Sequence, residues 1–167
     1  LVVSWVLPVI AGAMLWQVLQ TGPISYHIGG WEPPWGIEYR VDALNGFILV
    51  LVSSIGAVIV PAAWRSISFE ITEGRLAWFY CMYLLCLAGL LGIAITGDAF
   101  NAFVFLEISS LASYVLIALG YDRRALLASY QYLIMGTIGA TFYVIGVGLL
   151  YLLTGSLNMV DIAARLG

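Results

Sequence analysis

Five long apolar runs, each of about 20 residues or more and almost free of charge, dominate this sequence. A helix needs about 20 apolar residues to cross the hydrocarbon core of a bilayer. The runs therefore predict an all-α transmembrane helical bundle, and the short connections predict that consecutive helices are antiparallel neighbours. We place the five spans at residues 1–19, 43–64, 76–96, 99–120 and 125–153.

Composition excludes the main alternatives to a membrane protein. Hydrophobic residues make up 63% of the 167 residues and charged residues only 9%, against about a quarter in a soluble domain. With six arginines, no lysine, nine acids and a net charge of −3, the chain is also unsuited to bind nucleic acid. We therefore expect a multi-pass protein of the cell (inner) membrane, in contact with the lipid bilayer.

The arginines predict the orientation. Four of the six fall in the loops after the second and fourth spans, and by the positive-inside rule those loops are cytoplasmic. These four arginines are Arg65, Arg75, Arg123 and Arg124. Because the sequence starts at Leu1 inside an apolar run, we also expect it to be an internal piece of a longer chain.

The segment between the first two spans has the pattern of a hairpin. Residues 24–28 and 37–41 alternate apolar and polar side chains, and residues 29–36 contain the glycines and prolines that a chain reversal needs. This pattern predicts a short extracytoplasmic β-hairpin on the outer membrane surface. Trp31 and Trp35 would then lie at the level of the lipid headgroups.

Most acids lie between the spans. Asp42 is expected to cap the second span, whereas Asp98 could cap the fourth span or give protons access to it, with the cap favoured. The remaining loop acids are expected to be solvated: Glu32, Glu38, Glu70, Glu73, Asp122 and Asp161.

Glu107 is the exception, because it lies near the middle of the fourth span among apolar residues. An ionised carboxylate facing lipid costs several kcal/mol, so Glu107 must turn into the bundle, find a partner or keep its proton. Ser110 and Tyr114 follow on the same helix face, and both can donate hydrogen bonds. Glu107 is therefore a candidate proton or charge site. The alternative is a neutral glutamate that fixes helix packing.

The fifth span adds Gln131, which could line a hydrated path or form an interhelical hydrogen bond. Gly136 and Ala140, four residues apart, favour close helix packing. No cofactor or metal is expected. The only histidine, His27, lies outside the spans, so the chain cannot supply a pair of axial haem ligands, and it has no phosphate loop, GxSxG elbow or zinc-ligand set.

Three stretches resemble the antiporter-like subunits shared by Mrp-type sodium/proton antiporters, respiratory complex I and membrane-bound hydrogenases. They read YHIGGWEPPWGIEYRVDALN (26–45), GDAFNAFVFLEISSLASYVLIALG (97–120) and YQYLIMGTIGATFYVIGVGLLYLLTGSLN (130–158). Residues 109–114 read SSLASY, which is more similar to the D-type branch of the antiporter subunits than to complex I.

The resemblance implies part of a longer subunit of about fourteen helices, here the second to the sixth. It implies that Glu107 pairs with a lysine on a later, broken helix, and that changes in this pair move protons along a hydrated axis. Gln131 stands where many members of the family carry a lysine, so this sequence departs from the family pattern at that position.

The sequence thus predicts a proton-translocating subunit of a multisubunit monovalent cation (Na⁺)/proton antiporter. Its partners would be other membrane subunits, protons and Na⁺, and it would catalyse no covalent chemistry. One alternative is the proton-pumping membrane subunit of an NADH-quinone oxidoreductase or a membrane-bound hydrogenase. Another is a scaffold subunit that transports nothing.

Overall fold

A computed structural model describes residues 2–71, 73–120 and 122–167 of the chain. In this part of the chain, five helices are long and apolar enough to cross a membrane, and a two-stranded sheet and a short sixth helix accompany them. The elements are α1 (Val2–Thr21), β1 (Ile24–His27), β2 (Glu38–Val41), α2 (Ala43–Glu70), α3 (Leu76–Ile95), α4 (Ala99–Ala118), α5 (Arg123–Thr154) and α6 (Met159–Leu166). The predicted fold class is confirmed.

The long helices pack in chain order, α1 on α2, α2 on α3, α3 on α4 and α4 on α5. Their outer faces are apolar: Leu152 and Met135 of α5 are 80% and 72% exposed. Exposure on this scale is unfavourable in water but ordinary in lipid. The chain is therefore a multi-pass membrane protein.

The helix α2 extends well beyond its predicted span. The helix α2 continues through Pro61 to Glu70, so the loop predicted over residues 65–70 is wrong. An apolar run marks where a helix lies in lipid, but a helix ends only where a residue or a cap stops it. The helix α5 has 32 residues, about 48 Å at 1.5 Å per residue, and is long enough to tilt or to project into water.

Small residues bring α3, α4 and α5 close together. A Cβ atom at Gly89 of α3 would lie 2.7 Å from the backbone nitrogen of Ser109 in α4, and one at Gly92 would overlap the ring of Phe105. The predicted close packing at Gly136 of α5 is confirmed, because this residue lies directly against the hydroxyl of Tyr114. Glycine allows helices to approach closely enough for such contacts.

The predicted hairpin is present. The strands β1 and β2 are antiparallel, with Ile24 opposite Val41 and His27 opposite Glu38. Gly29 has a φ of 69°, in the left-handed region that glycine adopts without strain. The hairpin packs against the connection between α3 and α4 and is hydrogen-bonded to the connection between α5 and α6.

Candidate functional site

Glu107 lies near the midpoint of α4, about 12 Å along the axis from the first residue of the helix. Its side chain is half-buried. Within the described residues it forms no hydrogen bond and no salt bridge. An acid at this depth that lacks a partner is a candidate functional group.

Glu107 stands between two different surfaces of α4. One surface faces α5: the ring of Phe103 stacks on Tyr143 with centroids 6.4 Å apart, and Tyr114 is only 7% exposed. The other surface is open, and its Leu111 side chain is 52% exposed. The carboxylate is therefore at the border between a packed interface and a face that this chain leaves uncovered.

The structure brings Ser110 and Tyr114 to the same side of α4 as Glu107, as helical spacing predicts. Tyr114 packs against α5, where its ring contacts the edge of the Tyr132 ring with centroids 5.1 Å apart. Ser110 is half-buried. Among the described residues, no hydrogen bond joins either hydroxyl to the Glu107 carboxylate, so the three side chains form a polar stripe but not a closed network.

Gln131 is separate from this stripe. It is exposed and lies about 140° around α5 from Gly136, the residue that contacts α4. The hydroxyl of the nearby Thr137 is hydrogen-bonded within α5, because it donates to the carbonyl of Leu133 at 2.8 Å. The structure does not bring Gln131 together with Glu107.

A second polar group, which the sequence analysis missed, lies at the hairpin. Glu38 is only 7% exposed, so its predicted solvation is wrong. Its Oε1 atom accepts a hydrogen bond of 2.6 Å from the Ser25 hydroxyl, and its Oε2 atom accepts one of 2.7 Å from the Asn158 side-chain amide. We call Ser25, Glu38, Asp98 and Asn158 the hairpin cluster.

Backbone hydrogen bonds also join the segments that carry these residues, namely the hairpin, the α3–α4 connection and the α5–α6 connection. The Gly97 amide donates to the Glu38 carbonyl at 2.8 Å, and the Met159 amide donates to the Gly97 carbonyl at 2.8 Å. The Ala99 amide donates to the carbonyl of Leu157 at 2.9 Å. The hairpin, the α3–α4 connection and the α5–α6 connection therefore form one hydrogen-bonded unit.

The two acids of the hairpin cluster respond differently to burial. Burial opposes the charge of Glu38, but the hydrogen bonds from Ser25 and Asn158 and the nearby Arg40 hold its pKa below the usual value. Burial raises the pKa of Asp98 although its Oδ1 atom caps α4 by accepting from the Asn101 amide at 2.7 Å. The predicted capping role of Asp98 is confirmed.

Other acids follow the predictions more closely. Asp42 caps α2, accepting from the Asn45 amide at 2.9 Å. Asp122 is exposed and also caps α5, and the partly exposed Asp161 pairs with Arg165 at 3.0 Å. Glu32 is exposed. The side chains of Glu70 and Glu73 lie outside the described part of the chain.

No local pattern could have joined Glu38 to Asn158. The two residues are 120 positions apart, and the alternation along residues 37–41 groups Glu38 with Arg40 on a polar face. One weak signal was available. An asparagine directly before the short amphipathic segment Met159–Leu166 is typical of a helix N-cap, and its Oδ1 atom indeed accepts from the amides of Val160 and Asp161.

Residues 96–166, which include all of α4, match the family described as NADH:quinone oxidoreductase/Mrp antiporter, transmembrane. A protein of Desulforudis audaxviator named NADH-quinone oxidoreductase subunit N is 47% identical over 156 residues, which cover 93% of this chain and 31% of the relative. The chain is similar to the membrane subunits of this family. A protein of Alkalihalophilus pseudofirmus, named as the D-type subunit of a Na(+)/H(+) antiporter, is 36% identical over 151 residues, 90% of this chain and 30% of that one.

Solved structures show the same fold. A chain of the membrane-bound sulfane sulfur reductase, an archaeal respiratory membrane complex, superposes with a TM-score of 0.89 at 32% identity over 98% of this chain and 33% of its own. A chain of the Mrp complex from Dietzia sp. DQ12-45-1b superposes with a TM-score of 0.86 at 24% identity, over 98% and 32%.

The chain spans about a third of the length of the relatives that it matches. Its identity is higher to the relative named for quinone reduction than to the relative named for Na(+)/H(+) antiport. Its assignment to the D-type antiporter branch therefore stays a prediction.

Proposed function

We propose that this chain is part of a proton-translocating subunit of a multisubunit monovalent cation (Na⁺)/proton antiporter, and that Glu107 is its intramembrane proton or charge site. One observation carries the proposal: an acid in the middle of a candidate span has no partner among the described residues. A carboxylate at such a depth is expensive. A functional need for a charge in the middle of α4 would explain why Glu107 is present.

The open face of α4 suggests how Glu107 works. All six arginines lie outside the five candidate spans or at their ends, and the chain has no lysine, so a partner cation would come from another segment. A cation within about 4–6 Å favours the ionised carboxylate and would expel its proton to one side. When the cation withdraws, the carboxylate would take up a proton from the other side.

The hydroxyls of Ser110 and Tyr114 have a supporting role in this proposal. Each can donate a hydrogen bond to a carboxylate or to a water molecule beside it. Gln131 lies on the face of α5 away from Gly136, so it would line a path only together with a segment that covers that face.

A second candidate function is supported by the comparisons. The relative that is 47% identical is named for quinone reduction, and the structure that is 32% identical belongs to a respiratory complex. Glu107 would then perform the same proton chemistry in a redox-driven pump. The electron-carrying cofactors of such a pump would lie on other subunits.

The test is proton transport in vesicles that contain the complete complex, followed with a pH-sensitive dye. Glu107→Gln preserves volume and hydrogen bonding but removes the charge, so we expect normal assembly and loss of transport. Glu107→Asp, one methylene shorter, should retain part of the activity.

Driving the same vesicles by a Na⁺ gradient or by electron transfer to a quinone distinguishes the two candidate functions. Normal proton movement by an assembled Glu107→Gln complex under both conditions would overturn the role of Glu107. In that case a packing role of Glu107 or a scaffold function of the subunit would be favoured.

A further inference from the structure

Glu38 connects three parts of the chain that are distant in sequence but adjacent in the fold. Its carboxylate binds Ser25 of β1 and Asn158 before α6, and its carbonyl accepts from Gly97 before α4. We propose that Glu38 is a positioning residue that fixes the N-terminal end of α4 and thereby the position of the Glu107 carboxylate. This proposal rests on the proposed function of Glu107.

The hydrogen bonds of Glu38 require an acceptor at both carboxylate oxygens. The Ser25 hydroxyl donates to one oxygen and the Asn158 amide nitrogen to the other. Asn158 is itself only 3% exposed, and its own oxygen is occupied by the N-terminal amides of α6. Asn158 therefore divides its two polar atoms between α6 and Glu38, so that a movement of the hairpin is transmitted to the α5–α6 connection.

The link from Glu38 to α4 is short. Gly97, which donates to the Glu38 carbonyl at 2.8 Å, precedes the first residue of α4 by two positions. Asp98 between them caps the helix. The Ala99 amide donates a hydrogen bond to the carbonyl of Leu157 in the α5–α6 connection. The start of α4 is therefore held from two sides, by the hairpin and by the α5–α6 connection.

The position of α4 matters because Glu107 lies about 12 Å further along the same helix. Proton transfer requires heavy atoms within about 2.6–3.2 Å of each other, directly or through one water molecule. A misplacement of 1 Å at a reacting group can cost up to about 100-fold in rate. A loose N-terminal end of α4 would therefore slow transport even when Glu107 itself is intact.

The neighbouring charges keep the arrangement fixed near neutral pH. The hydrogen bonds and Arg40 outweigh burial and lower the pKa of Glu38, so its carboxylate stays ionised and accepts at both oxygens. The other titratable groups near it are His27, opposite Glu38 on β1, and Asp98 before α4, which pairs with Asn158 in a β-bridge.

Exchanging the carboxylate at position 38 and the amide at position 158 tests the proposal in the complete complex. Asn158→Asp alone places two carboxylates against each other, and we expect proton turnover to fall about tenfold, within the range for misplaced groups, with little change in the apparent KM for the cation. The loss should lessen as the pH falls, because one proton shared by the two carboxylates removes the repulsion.

Combining Glu38→Gln with Asn158→Asp should restore turnover and the normal pH profile. In the double variant the introduced glutamine amide donates to the introduced aspartate, its oxygen accepts from Ser25, and the aspartate still caps α6. Glu32→Gln is the matched control, because Glu32 is an exposed acid of the same hairpin. We expect it to leave transport unchanged.

Normal turnover by an assembled Asn158→Asp complex would overturn the proposal, and so would a loss that the double variant does not repair. If Asn158→Asp fails to assemble, Ser25→Ala decides. It should reduce turnover a few-fold and speed amide exchange at Gly97, and no change in either would reject the positioning role. Glu107→Gln, measured in parallel, separates the two proposals. Normal transport by the Glu107→Gln complex would overturn the proposed function. Loss of transport in Glu107→Gln together with normal transport in Asn158→Asp would overturn only the role of Glu38.

Discussion

Two acids in this chain, Glu38 and Glu107, lie in contrasting surroundings. Glu38 is outside the candidate spans and nearly buried, and both of its oxygens are hydrogen-bonded. Glu107 is in the middle of a span and half-buried, and it has no hydrogen bond or salt bridge within the described residues. The hydrogen-bonding needs of the Glu38 carboxylate are met within the fold, whereas an acid in a span without such partners is a candidate functional group.

The regions around these acids are held together differently. In the layer of long helices, glycines such as Gly89 and Gly136 allow direct contact with α4. At the hairpin, side-chain and backbone hydrogen bonds connect three loops. Lipid supplies no hydrophobic force between helices, so fit decides the packing there, whereas the polar backbone of the loops must find hydrogen-bond partners.

The largest expected effect concerns the side of the membrane on which each region lies. We expect cysteine at Glu32 to react with an impermeant thiol reagent only from outside, and cysteine at Gly74 only from the cytoplasm. Both variants are made in a background without Cys81 and Cys86, and labelling is compared in intact and opened cells. Reaction of the Gly74 variant in intact cells would reverse the orientation that the arginines predict.

Removing each acid should separate a structural role of Glu38 from the proposed functional role of Glu107. Glu38→Ala leaves the donors of Ser25 and Asn158 unpaired, a cost of about 1–3 kcal/mol, so amide exchange at Gly97 should accelerate about 5- to 150-fold. Glu107→Gln should leave that exchange unchanged. Hydrogen exchange followed by mass spectrometry measures both, and equal effects would abolish the contrast between the two acids.

The steric basis of the helix layer can be tested with two glycines. Gly89→Ala should destabilise by about 1–3 kcal/mol, because its Cβ atom would lie 2.7 Å from the Ser109 backbone nitrogen. Gly139→Ala is the matched control, since nothing in the described chain lies within 4 Å of its Cβ position. The thermal midpoint of the solubilised complex compares them. A comparable loss for Gly139→Ala would identify its face of α5 as another packed interface.

Acid should affect the two carboxylates of the hairpin cluster in opposite directions. Glu38 has a pKa below its ordinary value of 4.5, so the stability that its charge contributes is present above pH 4.5 and is lost as the pH falls through the lowered pKa. Asp98 has a pKa above its ordinary value of 3.8, so its ionisation on raising the pH destabilises the fold.

Thermal midpoints of the wild type, Glu38→Gln and Asp98→Asn between about pH 3 and pH 6 test these signs. The advantage of the wild type over Glu38→Gln should shrink below pH 4.5. Asp98→Asn retains the helix cap and should gain relative to the wild type as the pH rises. A pH-independent difference for Glu38→Gln would mean that its carboxylate is not ionised in the fold.

The smallest effects are expected for the hydroxyls beside Glu107. Ser110→Ala and Tyr114→Phe each remove one hydroxyl, worth about 0.5–1.5 kcal/mol where it forms an ordinary hydrogen bond. We expect transport rates to fall by no more than about tenfold. Thr141→Ala on α5 is the control, because among the described residues its hydroxyl bonds only to the Thr137 carbonyl of its own helix. Losses as large as that of Glu107→Gln would extend the functional site to these residues.

Local sequence patterns predicted much of this protein. The apolar runs predicted the five spans, alternation predicted the strands on either side of residues 29–36, and Asp42 and Asp98 were recognised as helix caps. Glu107 could be named as a candidate site without tertiary information, because an acid amid apolar residues of a span is unusual wherever the helix lies, and its role stays a prediction.

What the sequence by itself determined is the membrane class, the number of spans and the depth of Glu107, because these follow from hydrophobicity and helical period along one segment. Only the tertiary structure decided that Glu38 is buried, that Asn158 is its partner and that Gln131 lies away from Gly136, the contact of α5 with α4. The physical reason is that a hydrogen bond across 120 positions depends on how the loops between helices meet. No periodicity within a single segment encodes how these distant loops pack together.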